Sequence, residues 1–397
     1  MLRYSHALLL LLLAPVIVRA EDWPQWRGPN RDNAITGFVV PKTWPAKLTQ
    51  KWKTTVGEGV ASPALVGDKI YAFGRIGGDE VLSCLEADTG KEVWKDKYAG
   101  GTVSGIAGGF KGPRGSVAVA DGKVLAFGVG GQVSCWDAKT GKLDWRKETK
   151  AVPKFSTSCS PMIGDGLCIV HTGAQGRGEL VAYEIKTGDA KWKWSGDGPS
   201  YGSPVLATIG DVKQVVVLTD SNLVGIGATD GKLLWKKSLI TGRYQTCTPI
   251  VYGSTVICAG NAIEIEKGKE TFEAKSIWKE HAPHNYCSPT IKGEYIYGFS
   301  GQGRGGSKLY CQEAKTGKLV WEDSATRGEC GMVLDAGDVM IALSSDSNLL
   351  IFKPGGKEYT EVMKYKVSET GTWTVPIVVG KKIYVKDRDS VILWSLE

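Results

Sequence analysis

The sequence predicts an all-β chain folded as an eight-bladed β-propeller, and three observations carry that expectation. A segment ending in an aromatic recurs, and its aromatics Trp52, Trp94, Trp145, Trp192, Trp235, Trp278, Trp321 and Tyr365 are spaced by 42, 51, 47, 43, 43, 43 and 44 residues. Eight apolar, β-rich runs are each interrupted by a short Gly/Asp turn, at Gly67, Gly122, Gly164, Gly210, Gly253, Gly293, Gly337 and Gly380. Composition agrees: 52 glycines and 14 tryptophans stand beside only 8 phenylalanines in 397 residues, so turns and large aromatics dominate. Repeats of this period with four strands each belong to propellers. Length alone would suggest two or three domains.

The chain opens on a targeting segment. Arg3 precedes the mostly apolar stretch Ala7 to Val18, and Val18-Arg19-Ala20 places small residues at −3 and −1 before Glu21. This reads as a signal peptide over residues 1–20, because the apolar run is well short of the roughly 20 residues that span a bilayer. The expected location is periplasmic or secreted, with no Cys after the cut to carry a lipid. Removing Arg3 and Arg19 lowers the formal charge from +7 to +5. The 49 basic and 42 acidic residues are interleaved without a long basic run, which argues against nucleic acid as a partner. Residues 21–48 form a Trp-rich lead-in, and residues 49–397 form the propeller.

Each repeat is a hairpin. Ala87-Asp88-Thr89-Gly90-Lys91-Glu92-Val93-Trp94 and Ala138-Lys139-Thr140-Gly141-Lys142-Leu143-Asp144-Trp145 show its plan. Gly supplies the positive φ of a tight turn, and Thr or Asp beside it bonds the turn backbone. Lys keeps the following strand soluble. A large aromatic at one fixed place in every unit, Trp in seven and Tyr365 in the other, fills the gap between stacked sheets, so these tryptophans are structural. Many first strands open on a small residue and Pro, as in Ser62-Pro63, Ser160-Pro161, Ser203-Pro204, Thr248-Pro249 and Ser288-Pro289. Pro is tolerated at a strand start because no ladder N–H is needed there.

The ends of the chain predict how the ring closes. An orphan Trp52 strand comes first, and three strands follow Tyr365, ending near Trp394. Three plus one completes a blade, so Lys51 to Thr54 should pair with Val391 to Ser395, leaving no open end to the ring. The nine cysteines fall in repeat register: Cys84, Cys135 and Cys311 before the turn motif, Cys159, Cys247, Cys287 and Cys330 at first-strand starts, and Cys168 and Cys258 at a third position. Such slots suit buried thiols. One disulfide between neighbouring blades stays open, and an odd count leaves at least one Cys outside any intrachain pair.

The x-x-T-G-K-x-x-W hairpin, repeated over residues 49–397, resembles the quinoprotein-type (PQQ-like) repeat. The opening Trp23-Pro24-Gln25-Trp26-Arg27-Gly28-Pro29-Asn30 is similar to the lead-in found before such propellers in exported bacterial proteins. The resemblance implies one of two activities. Some members are quinone-dependent alcohol or glucose dehydrogenases that hold pyrroloquinoline quinone over calcium, with an Asp base. Others are non-catalytic, such as the propeller component of the outer-membrane β-barrel assembly machine.

The alcohol dehydrogenases carry a disulfide between adjacent cysteines, and no two cysteines are adjacent here. The hard-cation ligands expected of such enzymes reduce to Glu58, Glu329 and Asn285 on loops entering first strands. His281 and His284 have a Pro between them and no adjacent third ligand, so no metal is expected there. The run Gly100 to Phe110 lacks a phosphate-binding ending and reads as a flexible insertion. No catalytic residue and no cofactor are expected, with PQQ and calcium as the alternative.

What remains is a rim. Loops entering the innermost strands carry Glu58, Arg114, Phe155, Tyr201, Arg243, Tyr244, His284, Tyr286, Arg327, Glu329 and Trp373. Aromatics and Arg at one concave mouth suit a protein or glycan partner. The chain is expected to act as a monomeric binding or scaffold module with at most peripheral membrane contact.

Overall fold

The computed structural model describes residues 22–397 except 104, 150, 240–245, 270, 281–286, 302–305 and 356. The signal-peptide reading over residues 1–20 therefore lies outside the described residues. Eight antiparallel sheets of four strands each form the ring. We number the blades 1–8 from the sheet that begins at Ala64–Val66. Blade 1 then continues outward through Lys69–Ile76, Asp79–Glu86 and Glu92–Ala99. Burial falls in the same order: Lys69–Ile76 and Asp79–Glu86 are almost wholly buried, while Glu92–Ala99 alternates between exposed and half-buried.

Blade 8 is closed as expected. Its outermost strand, Thr49–Thr55, pairs with Ser390–Ser395 from Thr49↔Ser395 to Thr55↔Ser390, with a bulge between Gln50 and Trp52. The first and last strands of the propeller thus complete one sheet, and the ring has no open seam.

The repeated tryptophans lock each blade to the next. The indole N–H groups of Trp52, Trp94, Trp145, Trp192 and Trp278 donate to Ala87 O, Ala138 O, Ile185 O, Ala228 O and Ala314 O of the following blade, at 2.8–3.1 Å. The ring lies against the turn glycine of that blade. Gly188 has φ +73°, and a Cβ on it would stand 2.7 Å from the Trp145 ring. This glycine therefore serves two needs at once, a left-handed turn and close approach of an indole. Two copies depart from the plan: Trp235 donates to Gln214 Oε1 at 2.6 Å, and the Trp321 N–H finds no partner among the described residues.

A second lock runs around the channel. The hydroxyls of Ser62, Ser116, Ser160, Ser203, Thr248 and Ser288 accept backbone N–H groups of Val375, Ser62, Ser116, Ser160, Ser203 and Thr248, at 2.9–3.1 Å. Each bond crosses from one blade to the next, so the small hydroxyl residue at the first-strand start, before Pro in five of these six, is there for its oxygen. The belt stops at blade 7, where Gly331 has no hydroxyl; its N–H donates instead to Cys287 Sγ at 3.4 Å.

The lead-in plugs the ring at the ends of the innermost strands. Trp23 pairs with Leu65 of blade 1, and Pro24 O accepts the Val119 N–H of blade 2. Arg31 reaches Pro161 O at 2.8 Å in blade 3, and Arg27 reaches Pro289 O at 2.8 Å in blade 6. Ile35 N–H closes the path on Asp335 O of blade 7. The two arginines are wholly buried, and desolvation pushes both guanidinium pKa values down to about 10. They remain charged at neutral pH, and both stand near the face of Trp26, at 5.6 and 5.7 Å.

All nine cysteines are buried free thiols.

Candidate functional site: the loop-bearing mouth

At the opposite face the loops that enter the innermost strands form the mouth. Its main feature is the glycine-rich insertion between blades 1 and 2. The described part of this insertion contains a 3₁₀ turn, Gly105–Gly109, fastened by two arginines. Arg75 Nη1 donates to Gly101 O at 2.8 Å and Lys111 O at 3.1 Å, and its Nη2 to Gly78 O at 3.1 Å. Arg114 donates to Phe110 O at 2.8 Å, Ala107 O at 3.3 Å and Phe155 O at 2.8 Å. Burial lowers the Arg114 pKa, and its donors are turned onto the backbone.

The glycines allow the backbone to come close. A Cβ on Gly112 would fall 1.9 Å from Glu58 O, and one on Gly59 would fall 2.9 Å from Pro113 O. Only hydrogen fits between these strands of chain. The Val60 and Ala61 N–H groups both donate to Pro113 O, at 2.9 and 3.1 Å. The insertion is thereby stitched to the entry of blade 1.

The insertion ends on an aromatic contact across the mouth. Phe110 meets Trp373, from the loop before the innermost strand of blade 8, edge to face with centroids 5.0 Å apart and planes at 83°. Phe110 stays 40% exposed. Beside it Glu58 Oε1 pairs with Arg388 at 3.4 Å, and Lys111 is exposed. These residues line a shallow cleft of about 230 Å3, counting space open to solvent. The cleft is open and encloses little space, so it is a contact surface more than an enclosing pocket. Beneath it Lys386 is fully buried, its Nζ donating to Gly59 O at 2.6 Å, and desolvation lowers its pKa to about 8.

The structure brings some expected rim residues together and separates others. Glu58 and Trp373 share the cleft. Phe155 and Tyr201 form an aromatic pair at 5.9 Å, tied to the insertion through Arg114. Glu329 is exposed, and its N–H donates to Ser345 Oγ at 2.7 Å. Arg327 is turned away: it grips Asp323 Oδ2 at 2.6 and 2.9 Å and stands over the Tyr359 ring at 5.8 Å, as a brace between outer parts of blades 6 and 7. Arg243, Tyr244, His284 and Tyr286 lie outside the described residues, as does His281. Sequence reasoning missed Phe110, Lys111, Arg75 and Arg388. The run of glycines was the signal for the first two: a Cβ on Gly101 would fall 2.4 Å from Gly130 Cα, while Gly105, Gly108 and Gly109 have open space around them.

With this geometry in place, similarity to known proteins can be weighed. A family model described as outer membrane protein assembly factor BamB matches residues 78–306, more than half of the chain. BamB of Burkholderia pseudomallei is 25% identical over 272 residues, covering 58% of this chain and 69% of that protein. Quinohemoprotein alcohol dehydrogenase ADH-IIG of Pseudomonas putida is 30% identical over 158 residues, but that match spans 37% of this chain and only 21% of the enzyme. The crystal structure of BamB from Moraxella catarrhalis superposes with a TM-score of 0.65 at 16% identity, covering 88% of this chain and 98% of that one, and so shares the fold. Repeat, ring and family match agree: the chain belongs to the PQQ-like repeat family described as outer membrane protein assembly factor BamB.

Proposed function

We propose that this chain is an exported, non-catalytic scaffold that holds a protein partner at its loop-bearing mouth during assembly of outer-membrane proteins. The observation that carries the reading is Phe110, an exposed aromatic seated on Trp373 and flanked by Lys111 and the Glu58–Arg388 pair. A preformed aromatic anchor with a charged surround is the composition of a protein-binding centre. The likeness to BamB proteins supports the assembly role. Export rests on the signal peptide over 1–20, followed by the lead-in of 21–48 and the propeller of 49–397. The scaffold acts as a monomer, and a glycan at the same mouth is the competing ligand.

The quinone-dependent alternative draws on the likeness to quinohemoprotein dehydrogenases. The described mouth residues do not fit that cofactor. Glu58 faces Arg388, Arg114 is committed to three carbonyls, and among the described residues no three His, Cys, Asp or Glu side chains converge. We therefore route no step through pyrroloquinoline quinone or calcium. Mixing the chain with both should yield neither a quinone spectrum nor dye reduction with alcohols or sugars.

The binding reading is tested with Phe110→Ala combined with Lys111→Glu. Immobilised unaltered chain should capture outer-membrane assembly proteins from envelope extract, and the double variant should lose about tenfold or more, a difference near 1.4 kcal/mol. Equal capture refutes the mouth as the site. Unchanged outer-membrane β-barrel levels in a deletion strain refute the assembly role.

A further inference from the structure

We propose that Cys287 and Cys330 are an oxidisable pair that closes as a disulfide between blades 6 and 7. The argument begins with the hydroxyl belt, which passes from blade to blade through Ser and Thr oxygens and stops where Gly331 replaces a hydroxyl residue. At that gap the bonding changes from oxygen to sulfur. Cys287 Sγ accepts the Gly331 N–H at 3.4 Å, which sets the sulfur against the Cys330–Gly331 peptide. Both cysteines belong to one buried cluster, packed with Tyr297, Phe299 and Val333. Cys287 is 2% exposed and Cys330 5% exposed, so the pair lies inside the ring wall.

Register singles out this pair. Cys159 stands at the same repeat position in blade 3, but its neighbours in blades 2 and 4 are Gly115 and Gly202. Cys247 of blade 5 packs in a different buried cluster, with Cys258 of its own blade, and its thiol donates to Thr248 O at 3.4 Å. Among these first-strand cysteines, Cys287 and Cys330 share one buried cluster across a blade boundary, at the place where the belt is interrupted.

The chemistry needs a disulfide-bearing oxidant, of which oxidised glutathione is the simplest. The Cys287 thiolate attacks one sulfur of the oxidant, forming a mixed disulfide and expelling a thiolate. The Cys330 thiolate then attacks the Cys287 sulfur, closing the interblade bond and releasing the second thiolate. Two protein thiols lose two protons and two electrons, and the oxidant gains both as two thiols. Burial bars the oxidant from the finished ring, so the bond forms while blades 6 and 7 come together. An exported chain folds where such oxidants act.

The test refolds the mature chain from denaturant in a glutathione redox buffer. N-ethylmaleimide is then added in denaturant, followed by trypsin without reductant. The peptides covering 280–292 and 328–357 should appear joined, two hydrogens lighter than their sum, while the other cysteines carry the label. Cys330→Ser should abolish the joined species with an unchanged far-UV spectrum. Reductant should lower the Tm of the unaltered chain and leave that of the variant where it was. Labelled Cys287 and Cys330 in the refolded chain, or a link to any other cysteine, overturns the proposal. Should Cys330→Ser fail to fold, the peptide map of the unaltered chain decides alone.

Discussion

Replacing Trp145 by Ala removes one interblade lock and nothing else from the repeat. The indole is 8% exposed, lies on the Gly188 turn of the next blade, and meets the Tyr183 ring at 5.9 Å. Its N–H donates to Ile185 O at 2.8 Å. Large aromatic-to-Ala changes at such sites cost about 3–5 kcal/mol through lost burial and the cavity left behind. Roughly 1 kcal/mol of that belongs to the hydrogen bond. A fold with a total stability of about 5–15 kcal/mol loses a large fraction of it. Urea unfolding followed by far-UV circular dichroism measures the loss without depending on the removed fluorophore. Leu143, in the same outer strand but 37% exposed, is the control, and Leu143→Ala should stay within about 0.5 kcal/mol. A Trp145→Ala variant that loses no more than this control would refute the interblade role of the repeat aromatics.

Three further outcomes are expected. Ser160→Ala leaves the Ser116 N–H, now bonded at 3.0 Å, without its buried acceptor and should cost about 1–3 kcal/mol in the same urea assay. His171 is buried, donates from Nε2 to Asp197 O, and is pushed by desolvation from 6.5 down to about 4. Between those values the unfolded chain binds the proton and the folded chain does not. Stability is therefore complete above pH 6.5 and falls as pH drops toward 4, by about 3 kcal/mol; His171→Gln should flatten that part of the profile. Burial raises the thiols of Cys84, Cys159 and Cys311 to about 11 and that of Cys135 to about 12. Here the folded chain keeps protons the unfolded chain releases, so their stabilising contribution is full below about pH 9 and is lost as pH rises through 11 to 12. Urea midpoints at pH 8, 9.5 and 10.5 should fall in that order, and a flat series would count against buried thiols.

The ring was legible because its determinants are local and repeated. A turn glycine needs a positive φ wherever it stands; an aromatic four residues after it marks the same slot in five blades, and the spacing of the aromatics carries the count to eight. The closing pair Thr49↔Ser395 follows from counting strands at the two ends. The mouth was legible only as a place. Loops entering first strands must gather there, so Glu58 and Trp373 were found together. Arg327 was not, because nothing in its sequence neighbourhood says that Asp323 will take its guanidinium. The same gap hid Arg75 and Arg114 as clamps, since their acceptors are backbone carbonyls with no side-chain signature.

What the sequence by itself determined is the architecture: blade number, the tryptophan lock, the closing sheet and the register of the cysteines. Each follows from short-range geometry written once per blade. Only the tertiary structure decided that the Ser and Thr hydroxyls at the first-strand starts form a belt, that the lead-in fills the channel with two buried arginines, and that the glycine-rich insertion is pinned at the mouth onto Trp373. Those are contacts between residues far apart in the chain, made once rather than repeated. A periodic pattern cannot announce them, because their partners are chosen only when the ring closes.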